Sequence, residues 1–302
     1  MTKQTTGKLA TAQITGVGST LNTQAGRRRS VRASLVGGFL GFLVLGLTAC
    51  APQNGPARDG VQVGGNSGFT QLVSAQEIEA SATQQYVQMM GEANQKRALL
   101  PATHPQVVRL RAIAARIIPF TDEWNPRAKT WKWEVNVVAS EQLNAFCMPG
   151  GKIAFFSGIL DQLKLTDDEV AMIMGHEVAH ALREHARERM GKGAATNIGV
   201  NVLSQLFGLG QVGQTLTSYG AQILTLQFGR EDESEADLVG MELAARAGYN
   251  PRAGVSLWQK MSAGNKGAPP EFLSTHPSGQ TRIADIEKNL PQVLPLYEKA
   301  RR

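Results

Sequence analysis

Cysteine, histidine and aromatic residues are scarce in this chain, and acidic residues are missing from one end of it. Its 302 residues include two cysteines and five histidines, and aromatics make up 6%. Two cysteines exclude a small secreted scaffold stapled by several disulfides. Residues 1–50 contain no Asp or Glu but six basic residues, Lys3, Lys8, Arg27, Arg28, Arg29 and Arg32. The remainder holds 25 basic and 25 acidic side chains, so the formal charge of +6 resides in the leader. A neutral body argues against a nucleic-acid partner, because phosphate binding needs a basic face. Apolar content of 42% and charged content of 19% are ordinary for a globular protein and exclude a disordered chain.

A long apolar run is missing as well. Residues 33–49 are uncharged and include Leu35, Phe39, Leu40, Phe42, Leu43 and Leu45, but Gly37, Gly38, Gly41 and Gly46 interrupt them. The run falls short of the roughly 20 apolar residues that span a membrane. Basic residues followed by such a run describe a secretory signal. Leu47-Thr48-Ala49-Cys50 resembles the bacterial lipobox, whose cysteine becomes the lipid-modified first residue. Residues 1–50 therefore read as a lipoprotein signal peptide. Residues 51–73, rich in Gly, Pro, Asn and Ser at their start, read as a flexible tether, and residues 74–302 as one folded domain. Ala51, rather than Asp, after Cys50 points to the outer membrane. With Cys50 committed to lipid, Cys147 is alone and reads as a small buried apolar residue.

Within the domain, Ser74-x-x-Glu77 opens a helix expected to run towards Leu99. Pro101 and Pro105 separate it from a second helix with a broad apolar face, including Val107, Val108, Leu110, Ile113, Ile117 and Ile118. Residues 131–138 alternate as a strand, and residues 144–156 read as a hairpin around Pro149-Gly150-Gly151. Thr166-x-x-Glu169 opens a helix expected to reach Met190, with Gly191 past its end. Residues 191–229 read either as a mobile lid or as one or two core helices. Residues 232–247 read as a helix, Asn250-Pro251 begins another, and Ser278 caps a last one to Leu290.

His176-Glu177-Val178-Ala179-His180 lies inside the Thr166 helix. Histidines at i and i+4 share one helix face about 6 Å apart and can grip one ion. Glu177 can reach a water beside that ion and act as general base. A catalytic zinc usually has three protein ligands. His185 follows His180 by five residues and should rotate off the face, which makes it a surface residue or one packed behind a ligand. The third ligand then comes from another helix. Residues 230–237 offer Glu231, Glu233, Glu235 and Asp237. Ala236, Gly240, Leu243, Ala244 and Ala247 form a stripe of small residues suited to close packing. Glu233 extends that stripe and is chosen as ligand. Asp237 lies beside it as an acceptor for a ligand histidine, Glu235 falls at the margin, and Glu231 and Asp232 read as a solvated helix start.

These residues resemble peptidase family M forty-eight, the zinc metallopeptidases that include CAAX prenyl endoproteases, HtpX and the mitochondrial Oma-type enzymes. The resemblance rests on Asn144-Ala145-Phe146 with Pro149-Gly150-Gly151, the HExxH motif, Glu233-x-x-x-Asp237, and Ser274-Thr275-His276-Pro277 followed by Arg282. It is strongest to the soluble periplasmic branch, LoiP/BepA-like. It implies an α+β, mainly helical zincin-like domain in which a small β-sheet supplies an edge strand beside the HExxH helix. It also implies one zinc ion per chain and extended substrates pairing with the edge at Asn144, Ala145 and Phe146. His276 has two open roles, a removable fourth ligand that holds the enzyme latent or a stabiliser of the reaction oxyanion. Tyr219, Tyr249 and Arg282 are further candidates for the second role, and Arg282 also for a place behind the ligands.

The expected function is zinc-dependent endoproteolysis of misfolded or unassembled envelope proteins, by zinc-activated water with a glutamate base. The chain would be anchored through Cys50 in the bacterial envelope, with its domain in the periplasm and in reach of outer-membrane assembly machinery. The alternative is a non-catalytic holdase or assembly factor that uses the same cleft.

Overall fold

A computed structural model describes residues 59–195, 227–263, Phe272, His276 and 280–302. Cys50, most of the expected lid, Tyr219, Ser274, Pro277 and Ser278 lie outside the described residues. Helices α1 (Ala75–Gln95), α2 (Pro105–Ile117), α3 (Ser157–Gln162), α4 (Asp167–Leu182), α5 (His185–Ala195), α6 (Arg230–Arg246), α7 (Ala253–Ala263) and α8 (Gln280–Ala300) dominate. Strands β1 (Glu134–Val138), β2 (Ala145–Met148) and β3 (Lys152–Phe156) form one small sheet. The domain is thus α+β, mainly helical and zincin-like, as expected. Among the described residues, no helix is long and apolar enough to cross a membrane.

Ser74 caps α1 by accepting the Glu77 N–H. The helix stops at Gln95, short of the expected Leu99. Arg97 takes a positive φ of 56°, and Ala98 and Leu99 both donate back to the Ala93 carbonyl. Leu99 then bridges to Val138, so the chain turns towards the sheet before it reaches the prolines. Pro105 begins α2, where its missing N–H costs nothing. The buried face of α2 is narrower than expected. Val107, Leu110, Ile113 and Ile117 are buried, whereas Val108 is 53% exposed.

The sheet order is β1-β3-β2, with β1 parallel and β2 antiparallel to β3. Gly150 and Gly151 make the β2–β3 reversal at φ of 86° and 76°, a region that only glycine enters cheaply. β2 is therefore an edge strand, and α4 packs beside it.

Residues 166–190 do not form the single helix that was expected. Thr166 and Glu169 make the reciprocal capping box at the start of α4. The helix ends at Leu182, Glu184 adopts a left-handed φ of 58°, and α5 sets off in a new direction. Gly191 lies inside α5 rather than past a helix end. At the other end of the chain, α8 runs well beyond Leu290, through Pro291 and Pro295. An interior proline costs about 3 kcal/mol. Burial of Val293 and Leu296 on the same helix offsets that cost, a tertiary effect invisible to local propensity.

Helix α4 is the centre of the molecule, buried almost without interruption from Glu169 to Leu182. Its main helical partner is α6. The two meet at Gly175 and Gly240. A Cβ on Gly240 would stand 2.5 Å from the His176 backbone nitrogen, and one on Gly175 would stand 2.5 Å from the Gly240 carbonyl oxygen. The small-residue stripe thus lets the backbones touch where the motif histidines begin.

Candidate metal centre

Four side chains from three parts of the chain converge. His176 and His180 come from α4, Glu233 from α6, and His276 from the segment before α8. One ligand atom from each lies within 4.8 Å of the others, and all four residues are buried. His176 Nε2 is 3.1 Å from His180 Nε2. Glu233 brings Oε2 to 3.5 Å from His176 Nε2 and Oε1 to 3.4 Å from His180 Nε2. His276 Nδ1 lies 2.9 Å from Glu233 Oε1 and 3.3 Å from His176 Nε2.

The donor chemistry fits a metal ion. Asp237 Oδ1 lies 3.0 Å from His176 Nδ1, and a neutral ring that donates there presents a bare Nε2 to the cluster. Burial pushes His180 well below the usual imidazole range, so that ring is neutral. Burial alone would raise Glu233, but the His180, His276 and His176 imidazoles around it outweigh that and hold the carboxylate ionised far below its ordinary range. Two imidazoles and a carboxylate so placed form the ligand set of a catalytic zinc site. A divalent cation would satisfy facing lone pairs that cannot satisfy one another.

Glu177 stands beside this cluster, 3% exposed. Its Oε1 has no hydrogen-bond partner and is 3.5 Å from His276 Nε2. Burial raises its pKa against the pull of His276 and His176. A carboxylate tuned upward and left without a partner is a proton acceptor in waiting. His276 shows the converse balance. Burial would lower it, but the Glu177 and Glu233 carboxylates prevail and raise it. Its ring is stacked between Phe228 and Phe272, at centroid distances of 5.5 and 4.6 Å.

Arg282 packs behind the cluster. Its Nε and Nη2 donate to the two Asp237 oxygens at 2.7 and 2.6 Å, and Nη1 donates to Glu233 Oε2 at 2.6 Å. Its face lies over Trp258, 3.8 Å from the centroid. Three of its five N–H donors are thus held by carboxylates, which favours a place behind the ligands over an oxyanion role. Tyr249 carries Arg116 over its ring at 4.2 Å and takes no part in the hydrogen bonds of the cluster. Asp232, read as solvated, is buried and accepts the Gly229 N–H at the start of α6.

Of the two places the sequence left open for His185, the structure shows the one behind a ligand, and Glu235 and Arg183 complete a chain the sequence did not reveal. His185 is 1% exposed, Glu235 meets it, and Arg183 meets Glu235. The expected rotation of His185 off the face assumed a continuous helix. The left-handed turn at Glu184 breaks that helix and swings His185 back to His180. The sequence carries no glycine there to signal the turn.

The edge strand also packs against α4. Phe156 N–H donates to the Asn144 carbonyl, while the Ala145 N–H is taken by the Asn144 side-chain oxygen at 2.9 Å. Phe146 lies in β2. The carbonyl of Leu143, just before β2, accepts the Phe272 N–H at 3.1 Å, and the Phe272 carbonyl accepts the His276 N–H at 2.9 Å.

Comparison with known proteins agrees with this geometry. A model of Peptidase family M48 matches residues 109–290. The mitochondrial metalloendopeptidase OMA1 of Schizosaccharomyces pombe is 34% identical over 210 residues, covering 68% of this chain and 59% of its own length. OMA1 of Saccharomyces cerevisiae is 32% identical over 216 residues, covering 67% and 61%. The beta-barrel assembly-enhancing protease of Escherichia coli (strain K12) is 26% identical over 172 residues, covering 53% and 35%. The chain thus spans at most about three-fifths of these relatives. The family match takes in the HExxH helix, Glu233 and His276 together, and the chain belongs to Peptidase family M48, the metal-dependent peptidases.

Proposed function

We propose that this chain is a zinc-dependent endopeptidase that cleaves misfolded or unassembled proteins of the bacterial envelope. The observation that carries the reading is the placement of Glu177. A buried carboxylate oxygen with no partner stands beside two imidazoles and a carboxylate that share one small space. His176, His180 and Glu233 would hold one zinc ion. The bound ion would supply Lewis acidity and lower the pKa of water. Glu177 takes the proton of the attacking water and delivers it to the departing amine. Asp237 holds the His176 ring in register, and Arg282 holds both Asp237 and Glu233. Substrate backbone aligns in extended form along β2, where recognition through main-chain groups tolerates many sequences. That suits unfolded chains.

His276 gives the proposal its conditional character. Its Nδ1 shares the space of the candidate ligands, and its backbone N–H is held by Phe272, which in turn donates to the Leu143 carbonyl beside the substrate edge. With a metal bound, His276 would serve as a fourth ligand and would have to leave before a peptide enters. The envelope setting is supported by the basic-then-apolar leader, the lipobox-like Cys50 and the similarity to a beta-barrel assembly-enhancing protease. An outer-membrane anchor at Cys50 and contact with assembly machinery belong to the same proposal.

The test incubates full-length wild type and Glu177→Gln with an unfolded protein, with and without zinc, and maps fragments by mass spectrometry. Zinc-dependent fragments from wild type alone are expected. Stoichiometric zinc binding with no cleavage by either wild type or His276→Ala would favour a holdase.

A further inference from the structure

His185 and Glu235 take no part in the chemistry above, yet both are tied to a candidate ligand. His185 Nδ1 lies 2.9 Å from His180 Nδ1, and His185 Nε2 lies 2.8 Å from Glu235 Oε2. Glu235 Oε1 is in turn 2.9 Å from Arg183 Nη2, and the same nitrogen donates to the Gly64 carbonyl at 2.6 Å.

The hydrogen positions follow from the outer end inward. An ionised carboxylate only accepts, so His185 Nε2 carries a hydrogen for Glu235. A neutral ring protonated there offers a bare Nδ1. The contact between the two Nδ1 atoms then requires the hydrogen on His180. His180 Nε2 is left as a lone pair, pointed at the space shared with His176 Nε2 and Glu233. The opposite order, an imidazolium at His185 donating to His180 Nδ1, would place the hydrogen on His180 Nε2 and close that face to a metal.

We propose that His185 is a positioning residue for the metal, relaying the charge of Glu235 to His180 and fixing its metal-binding tautomer. His176 receives the same service directly from Asp237. The two relays start from carboxylates on one helix, α6, and end on the two motif histidines of α4. Partners behind ligand histidines fix ring orientation and raise basicity, and their loss typically costs about 10–100-fold in metal affinity. Arg183 fixes the far carboxylate. The left-handed turn at Glu184 serves this contact, because a continuous helix would carry His185 past His180.

The inference rests on reading the cluster as a metal site, and the experiment separates the two. The full chain, labelled with 15N-histidine and freed of metal, is examined by long-range 1H–15N NMR. Zinc affinity is then measured by titration against a competing chelator. Wild type should show His180 protonated at Nδ1. His185→Leu offers no acceptor, so His180 should shift to the other tautomer and zinc affinity should fall about 10–100-fold. His185→Gln, whose side-chain oxygen can accept the same hydrogen, should recover most of both readouts. A structural filler at this position would not show that rescue. His180 protonated at Nε2 in wild type, or zinc affinity of His185→Leu equal to wild type, overturns the relay. If His185→Leu does not fold, Glu235→Gln decides, since it keeps the volume and removes the charge; unchanged zinc affinity there also overturns the relay. Wild type that binds no zinc at all overturns the metal site itself along with the relay.

Discussion

His276 Nε2 lies 3.5 Å from Glu177 Oε1, the carboxylate oxygen that no other group in the site bonds. The candidate base thus faces a ring that reaches the metal cluster through its other nitrogen. Under the proposed latch this contact would join catalysis to its control, because a movement of His276 would also uncover Glu177.

Substituting Glu177 by Gln should therefore leave metal binding intact while removing the proton acceptor. General bases contribute about 10²–10⁴-fold to rate, so cleavage should fall by at least about a hundredfold. The check is kcat against an unfolded substrate, beside zinc content by elemental analysis. Retained activity would mean that another group takes the proton.

His276→Ala should act in the opposite direction. If the ring is a removable ligand, its loss frees both the coordination position and Glu177, and basal cleavage rises. If it instead stabilises the oxyanion, its loss should cost about 10²–10³ in kcat. The sign of the change distinguishes the two, and a rise is expected.

Metal removal should lower stability as well as activity. A ligand bound only by the folded state adds RT ln(1 + [L]/Kd), about 4 kcal/mol at a thousandfold excess over Kd. Differential scanning calorimetry with zinc and with chelator should show a lower Tm without the ion. In Glu233→Ala that difference should vanish, because the carboxylate that completes the set is gone. An equal zinc-dependent shift in that variant would place the ion elsewhere.

Much of this site was legible because its spacing is local chemistry. His176, Glu177 and His180 share a helix whose start is written in Thr166 and Glu169, and helical periodicity chose Glu233 from among four neighbouring acids. The edge strand was legible because Gly150 and Gly151 announce the reversal before β3. What escaped depends on tertiary context. The left-handed backbone of Glu184 has no residue signature, so the sequence left His185 between the surface and a place behind a ligand. The prolines of α8 read as a stop because burial of Val293 and Leu296 cannot be seen locally. Arg282 was open to two roles until its partners, Asp237 and Glu233, were known.

Acid should weaken the fold partly through Glu169. Burial would raise its pKa, but hydrogen bonds from Lys260, the Thr166 backbone and Ser256 prevail and hold it below the ordinary carboxylate range. A carboxylate depressed in the folded state contributes stability that is complete above its unfolded pKa and is lost as pH falls through the folded value. Glu169→Gln should therefore be less stable than wild type near neutral pH, and the two should converge below about pH 4. Urea midpoints across pH 3–7 test this, and a constant gap would assign the effect to packing.

Gly240→Ala tests whether helix contact sets the metal geometry. The added methyl would press on the His176 backbone nitrogen, which cannot move without moving the ligand ring. Overpacking of a tight core costs about 1–3 kcal/mol. Alanine also favours the helix itself by nearly 1 kcal/mol, so local propensity argues for stabilisation. The clash is with backbone rather than with a flexible side chain, so the unfavourable effect should win. The expected result is a lower urea midpoint together with weaker zinc binding, because α6 carries Glu233 and Asp237 away from α4 as it yields. Loss of stability with unchanged zinc affinity would show that the ligands tolerate helix separation. In that case the glycine pair would matter for folding, and the metal geometry would have to be set elsewhere, most directly by the Arg282 clamp on Glu233 and Asp237.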